Sequence, residues 1–180
     1  MSRLRDAFKA GKAFIPFITC GDPSLAATER LVRATAEAGA DIIELGIPFS
    51  DPTAEGPVIQ AANVRALAGG VTADKIFAMV RRLRERIDTP MVFMTYANVV
   101  YSYGTESFVK IASDLEIAGL ILPDVPFEEK EEFAAPCRAA GLELVSLIAP
   151  TSNDRISLIA RAAEGFVSVS YTHLTLPPNS

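Results

Sequence analysis

Two carboxylates, Glu44 and Glu55, stand on either side of a Pro/Gly-rich loop in the stretch DIIELGIPFSDPTAEGP, residues 41–57. The first lies inside an apolar run whose β-branched residues suit a packed strand. An unpaired carboxylate there is costly to desolvate, so Glu44 needs either a partner or a chemical task. A carboxyl group among apolar neighbours has a raised pKa and can exchange protons near neutrality, as a general acid or base does. The structural alternative is a salt bridge on the helix side of the strand. Glu55 sits just ahead of a helix beginning at Pro57, where a negative charge also favours the helix dipole. Asp51, in SDP, reads as a loop residue rather than a proton donor. Metal chemistry lacks support: the chain has one histidine, and Cys20 and Cys137 are far apart without ligand spacing. No G-x-G-x-x-G and no Walker sequence is present, so no dinucleotide or nucleoside triphosphate site is indicated.

The elements that must hold these residues alternate between short apolar runs and longer amphipathic ones. Strands are expected at AFIPFIT (13–19), DIIEL (41–45), PMVFMTY (90–96), LILPDVP with its loop (120–126) and LELVSLIAP (142–150), and FVSVS (166–170) begins a sixth. Helices are expected after Ser24, from Pro57 to the glycines at 69 and 70, after Thr72, after Thr105, over 128–141 and after Asn153, with Ser24, Thr72, Thr105 and Asn153 as N-caps. YANVVYSYG, 96–104, reads as a loop. Strand–helix alternation with short connections means a parallel sheet with helices outside it. An open doubly wound sheet and a (β/α)8 barrel both satisfy that pattern. The polar motifs favour the barrel, because they follow five successive strands: TCGDPS, GIPFSDPTAEGP, YANVVYSYG, PDVPFEE and APTSND. A ring of loops at the strand C-terminal ends is where barrels place their sites.

Composition narrows the class. The 180 residues are 49% hydrophobic with a formal net charge of −5, which suits one globular domain rather than a disordered chain. No long basic run marks a nucleic-acid partner, and no apolar run approaches the ~18 residues of a membrane span. The basic, briefly apolar start lacks a small-x-small cleavage pattern and soon meets Asp22, so a secretory leader is not expected. Reduced thiols and a cytoplasmic location are the simplest expectation.

The segments PFITCGDPS, ADIIELGIPFSDPTAEGPVIQ, MTYANVVYSYG, LILPDVPFEE and LIAPTSND closely resemble the α subunit family of tryptophan synthase, in order and spacing over about residues 1–167. The resemblance implies a (β/α)8 barrel of the phosphate-binding type and retro-aldol cleavage of indole-3-glycerol phosphate to indole and glyceraldehyde 3-phosphate. It implies Glu44 as the catalytic acid/base. Cleavage at indole C3 requires that carbon to be protonated and a side-chain hydroxyl to lose its proton. It implies that Glu55, where the family commonly has aspartate, polarises the indole N–H. Phe17, Met94, Tyr96, Ile121 and Ile148 match the family's indole pocket, although the apolar four would serve equally as barrel core. Asp51, Asn98 and Asp124 match positions of subunit communication, Asp124 as an anchor of the loop after strand two. The implied partner is a β subunit, in an α2β2 assembly, which carries pyridoxal phosphate; the α subunit itself needs no cofactor or metal.

The resemblance lapses after EGFVSVS, where the family continues into a glycine-rich lid and two further strand–helix units. A (β/α)8 barrel typically has ~250 residues. The chain is therefore expected to be a partial barrel of about six units over 1–167, with a divergent, non-native tail over 168–180. The phosphate-binding loops would then be missing, so the chain as it stands is expected to be inactive. Two further readings stay open: a non-catalytic barrel fragment that at most binds the β subunit, and an isomerase on a related phosphate-binding barrel.

Overall fold

The computed structural model describes residues 2–149 and 155–169. Six parallel strands form one sheet: β1 (Phe17–Thr19), β2 (Ile43–Gly46), β3 (Met91–Met94), β4 (Gly119–Ile121), β5 (Glu143–Ile148) and β6 (Val167–Val169). Their order across the sheet is their order in the chain, β1-β2-β3-β4-β5-β6. Crossovers between parallel strands are right-handed, so a chain that always steps the same way leaves every helix on one face. A doubly wound sheet reverses direction and covers both faces. The observed order is thus that of a barrel wall, curled with its helices outside.

Strand alternation sorts the core into two clusters. Ile43, Leu45, Met91, Phe93, Leu120, Leu122 and Leu144 face outward and pack with the helices. Ile42, Val92, Ile121 and Val145 face inward with Leu4, and with the half-buried Met94, Leu147 and Phe166. The register continues through the wall: Phe17 pairs with Glu44, Glu44 with Val92, Val92 with Gly119 and Gly119 with Glu143. One row of register partners therefore carries two carboxylates, which the tilt of the strands sets at different heights along the barrel. Glu143 is the first residue of β5, at the end of the barrel away from the βα loops, and its buried Oε2 has no hydrogen-bond partner among the described residues.

The helices are α1 (Arg3–Asp6), α2 (Leu25–Glu37), α3 (Pro57–Ala68), α4 (Ala73–Arg84), α5 (Ala97–Tyr103), α6 (Thr105–Asp114), α7 (Glu131–Ala140) and α8 (Ile156–Arg161). Ser24 and Thr72 cap α2 and α4 as their types predict, accepting from the amides of Ala27 and Lys75. Pro57 opens α3, where its missing N–H has no intrahelical partner to lose.

Several elements differ from the sequence expectation. The strand expected over 13–19 begins at Phe17. Ahead of it, the Phe14 amide bonds to the Asp41 side chain, and Pro16 has no N–H to give a ladder. Thr105 is not a cap: it is the first residue of α6, and Gly104 precedes it. Gly104 ends α5 and starts α6 with φ +92, a conformation L side chains rarely adopt. The stretch 96–104, expected as a loop, holds α5. The four-residue α1, capped by Ser2, seats the fully buried Leu4 in the inward cluster. The helix expected over 128–141 is a 3-10 turn, Phe127–Glu129, followed by α7. The expected cap at Asn153 and the tail from 170 to 180 lie outside the described residues.

Candidate active site

Glu44 is the second residue of β2 and projects into the barrel between its register neighbours Phe17 and Val92. It is half-buried. No described residue gives its carboxylate a hydrogen bond or an ion pair, so the salt-bridge alternative finds no support among them. Burial with no compensating partner pushes its carboxyl up to about 7. Both protonation states are then populated near neutral pH, which is what a group that must give and take a proton requires. Beyond Glu44, Gly46 lies under the ring of Phe17.

Glu55 lies on the loop between β2 and α3, and α3 grips that loop. The Asn63 side-chain amide donates to Glu55 Oε2 at 2.8 Å, and Gln60 Nε2 donates to the Glu55 carbonyl at 2.8 Å. Burial raises the Glu55 carboxyl, and the Asn63 hydrogen bond acts against that rise. Tyr96, just after β3 and 2% exposed, secures the same loop from the other side. Its hydroxyl accepts the Ala54 amide at 3.0 Å, and its ring stacks on Phe49 with centroids 5.1 Å apart. Tyr96 is thus a tether of the acid-bearing loop. Gln60 and Asn63 did not stand out in the sequence, since polar residues on a helix usually face water. Their positions one and two turns into the helix that Pro57 opens were the available signal.

The other expected pocket residues are placed unevenly. Met94 and Ile121 face inward one layer beyond Glu44, in register with Gly46. Ile148 ends β5 opposite Val169, and alternation gives it the opposite face from the inward Leu147. A cavity of about 370 Å³ opens beside the ends of β4 and β5, between Phe127, Lys130 and Ile159; Met94 is the expected pocket residue that lines it, and Ala54 touches its rim. This cavity lies to one side of Glu44 rather than over it.

The hydrogen bonds of Asp124 go to the start of α5. Both its oxygens accept from the Ala97 amide, at 3.0 and 3.1 Å, which caps α5 from a neighbouring loop. Asn98 and Tyr101 on α5 border a shallow groove with Asp124, Glu129 and Glu132. Asp51 is exposed and accepts from the Ser50 hydroxyl at 2.5 Å. Among the described residues no cluster of histidine, cysteine and carboxylates could hold a metal. No helix among them is long and apolar enough to cross a membrane.

A family model described as tryptophan synthase alpha chain matches residues 4–175. The tryptophan synthase alpha chain of Shouchella clausii is 52% identical over 166 residues, covering 92% of this chain and 62% of its own length. The solved structure of tryptophan synthase subunit alpha from Legionella pneumophila superposes with a TM-score of 0.88 at 38% identity, covering 94% of this chain and 68% of that one. A chain of the tryptophan synthase a2b2 complex of Pyrococcus furiosus superposes with a TM-score of 0.83 at 36% identity, covering 87% and 63%. The chain thus spans somewhat less than two thirds of the length of the curated relatives it matches.

Proposed function

The chain belongs to the tryptophan synthase alpha chain family, and on that premise we propose that it serves the cleavage of indole-3-glycerol phosphate to indole and glyceraldehyde 3-phosphate. Glu44 is the acid/base of this reaction. It delivers a proton to indole C3 and takes one from the side-chain hydroxyl, so that the C–C bond between them breaks as the carbonyl forms. Glu55 accepts from the indole N–H and favours the C3-protonated ring, whose nitrogen bears positive charge. The observation that carries this reading is the half-buried Glu44, whose carboxylate has no partner among the described residues and is raised to about 7.

Phe17, Met94, Tyr96 and Ile121 make up the proposed wall for the indole ring, an apolar surface with one hydroxyl, and Ile148, on the outward face of β5, is left out of it. Asp51, Asn98 and Asp124 are proposed to carry the state of the site to a β subunit in an α2β2 assembly. The P. furiosus relative is described in such an assembly. Pyridoxal phosphate would belong to that partner and serve the step that consumes indole. The buried, free Cys20 and Cys137 suit a reducing cytoplasm.

The test is indole formation from indole-3-glycerol phosphate, with and without β subunit. It uses a chain completed over the third of the relatives' length that this sequence does not span. Indole release that rises with β subunit supports the proposal. Binding of β subunit without indole release would favour the non-catalytic reading.

A further inference from the structure

Three tethers hold the loop after β2, at the neighbouring residues Ala54 and Glu55. Tyr96 fixes the amide of Ala54, Gln60 fixes the carbonyl of Glu55, and Asn63 alone reaches the Glu55 carboxylate itself. Asn63 is 4% exposed, so its amide has been taken out of water and needs an acceptor. Glu55 Oε2 is that acceptor, whereas Oε1 has no hydrogen bond among the described residues.

We propose that Asn63 is the positioning residue of Glu55: its amide anchors Oε2, so that Oε1 is left to the substrate. This rests on the reading of Glu55 as the acceptor for the indole N–H. Side-chain freedom makes such an anchor useful. Glutamate has one more rotatable bond than aspartate, and a free carboxylate would spread over several rotamers. A misplacement of ~1 Å can cost about 10²-fold in rate, so a longer acid needs a stop. Asn63 supplies one from α3, whose start is set by Pro57 and which folds its second turn back to within hydrogen-bond distance of Glu55. Charge works in the same direction. Burial favours the neutral acid, and a donor aimed at the carboxylate favours the ionised form that can accept an N–H. The other groups facing Glu55 do not replace it. Gln60 of α3 is neutral and bonds backbone, and Tyr96 from the end of β3 is a phenol whose ionisation the Glu55 charge opposes. No described arginine or lysine forms an ion pair with Glu55.

The experiment is an NMR titration of the 180-residue chain. It follows the Glu55 carboxyl carbon, assigned with Glu55→Gln, together with the Asn63 side-chain NH2. The expected result is one shared midpoint for both signals, and a Glu55 midpoint raised by about 0.5–1 pH unit in Asn63→Ala, from loss of a donor to the charged form. An Asn63 NH2 signal that stays flat through the Glu55 titration would overturn the proposal, as would an unchanged midpoint in a folded Asn63→Ala. If Asn63→Ala fails to fold, the wild-type titration decides alone. Failure of the completed chain to release indole would refute the reading of the reaction, yet leave this titration as it is. A flat titration in a chain that does release indole would refute the anchor only.

Discussion

The ring of Phe17 fills the space that a side chain at Gly46 would need: a Cβ there would lie 2.5 Å from Phe17 Cζ and 2.8 Å from Cε2. Gly46 is two residues beyond Glu44 on the same inward face, so the bare glycine lets the ring lie across β2 beside the carboxylate. Gly46→Ala is expected to displace the ring and destabilise the fold by about 1–3 kcal/mol, as overpacking does. Urea unfolding measures it. Adding Phe17→Leu should restore at least half of the loss, because the clashing atoms belong to the far edge of the ring. Equal losses in the single and double variants would mean that the strain lies in the backbone of β2.

Glu44→Gln is expected to stabilise the protein at alkaline pH. The folded carboxyl titrates at about 7, above the ordinary glutamate value of ~4.3. Between those values the folded state holds a proton that the unfolded chain has released, so stability falls as pH rises through this window and levels off above it. The full difference is on the order of 4 kcal/mol at ~1.4 kcal/mol per unit. The glutamine variant carries no charge to desolvate, so its advantage over wild type should grow between about pH 5 and pH 8. Parallel stability curves for the two proteins across that range would place Glu44 in water.

For Glu55, the charge should matter more than the length. In the completed chain, Glu55→Ala is expected to lower indole release about 10²-fold, within the range for a positioned polar group. Glu55→Asp should stay within about tenfold, since the carboxylate survives and only its reach changes. Steady-state indole formation distinguishes the two. Full activity in Glu55→Ala would reduce Glu55 to a charge placed before α3.

The strands, most helices and the barrel were legible because they rest on local signals: apolar runs of strand length, and the caps Ser24 and Thr72 one residue ahead of their helices. α5 was not legible, because its cap is non-local. Tyr96 offers no side-chain cap, and the first amide of the helix is satisfied by Asp124 from 27 residues away. Thr105 has the right residue type for a cap, but the positive φ of Gly104 already turns the chain into α6. In the site, Glu44 stood out because a carboxylate in an apolar strand breaks a pattern. Asn63 broke none, and only the fold of the loop onto α3 brings its amide to Glu55.

The reading of Glu44 as the acid/base is tested by the rate of indole release from indole-3-glycerol phosphate in the completed chain, wild type against Glu44→Gln. Glutamine keeps the shape and the apolar setting and removes only the exchangeable carboxyl proton. The expected result is a fall of at least about 10²-fold, more because Glu44 serves two proton transfers, with binding to the β subunit unchanged. A Glu44→Gln chain that releases indole at more than about a tenth of the wild-type rate, well short of the loss of a general acid/base, would contradict the assignment.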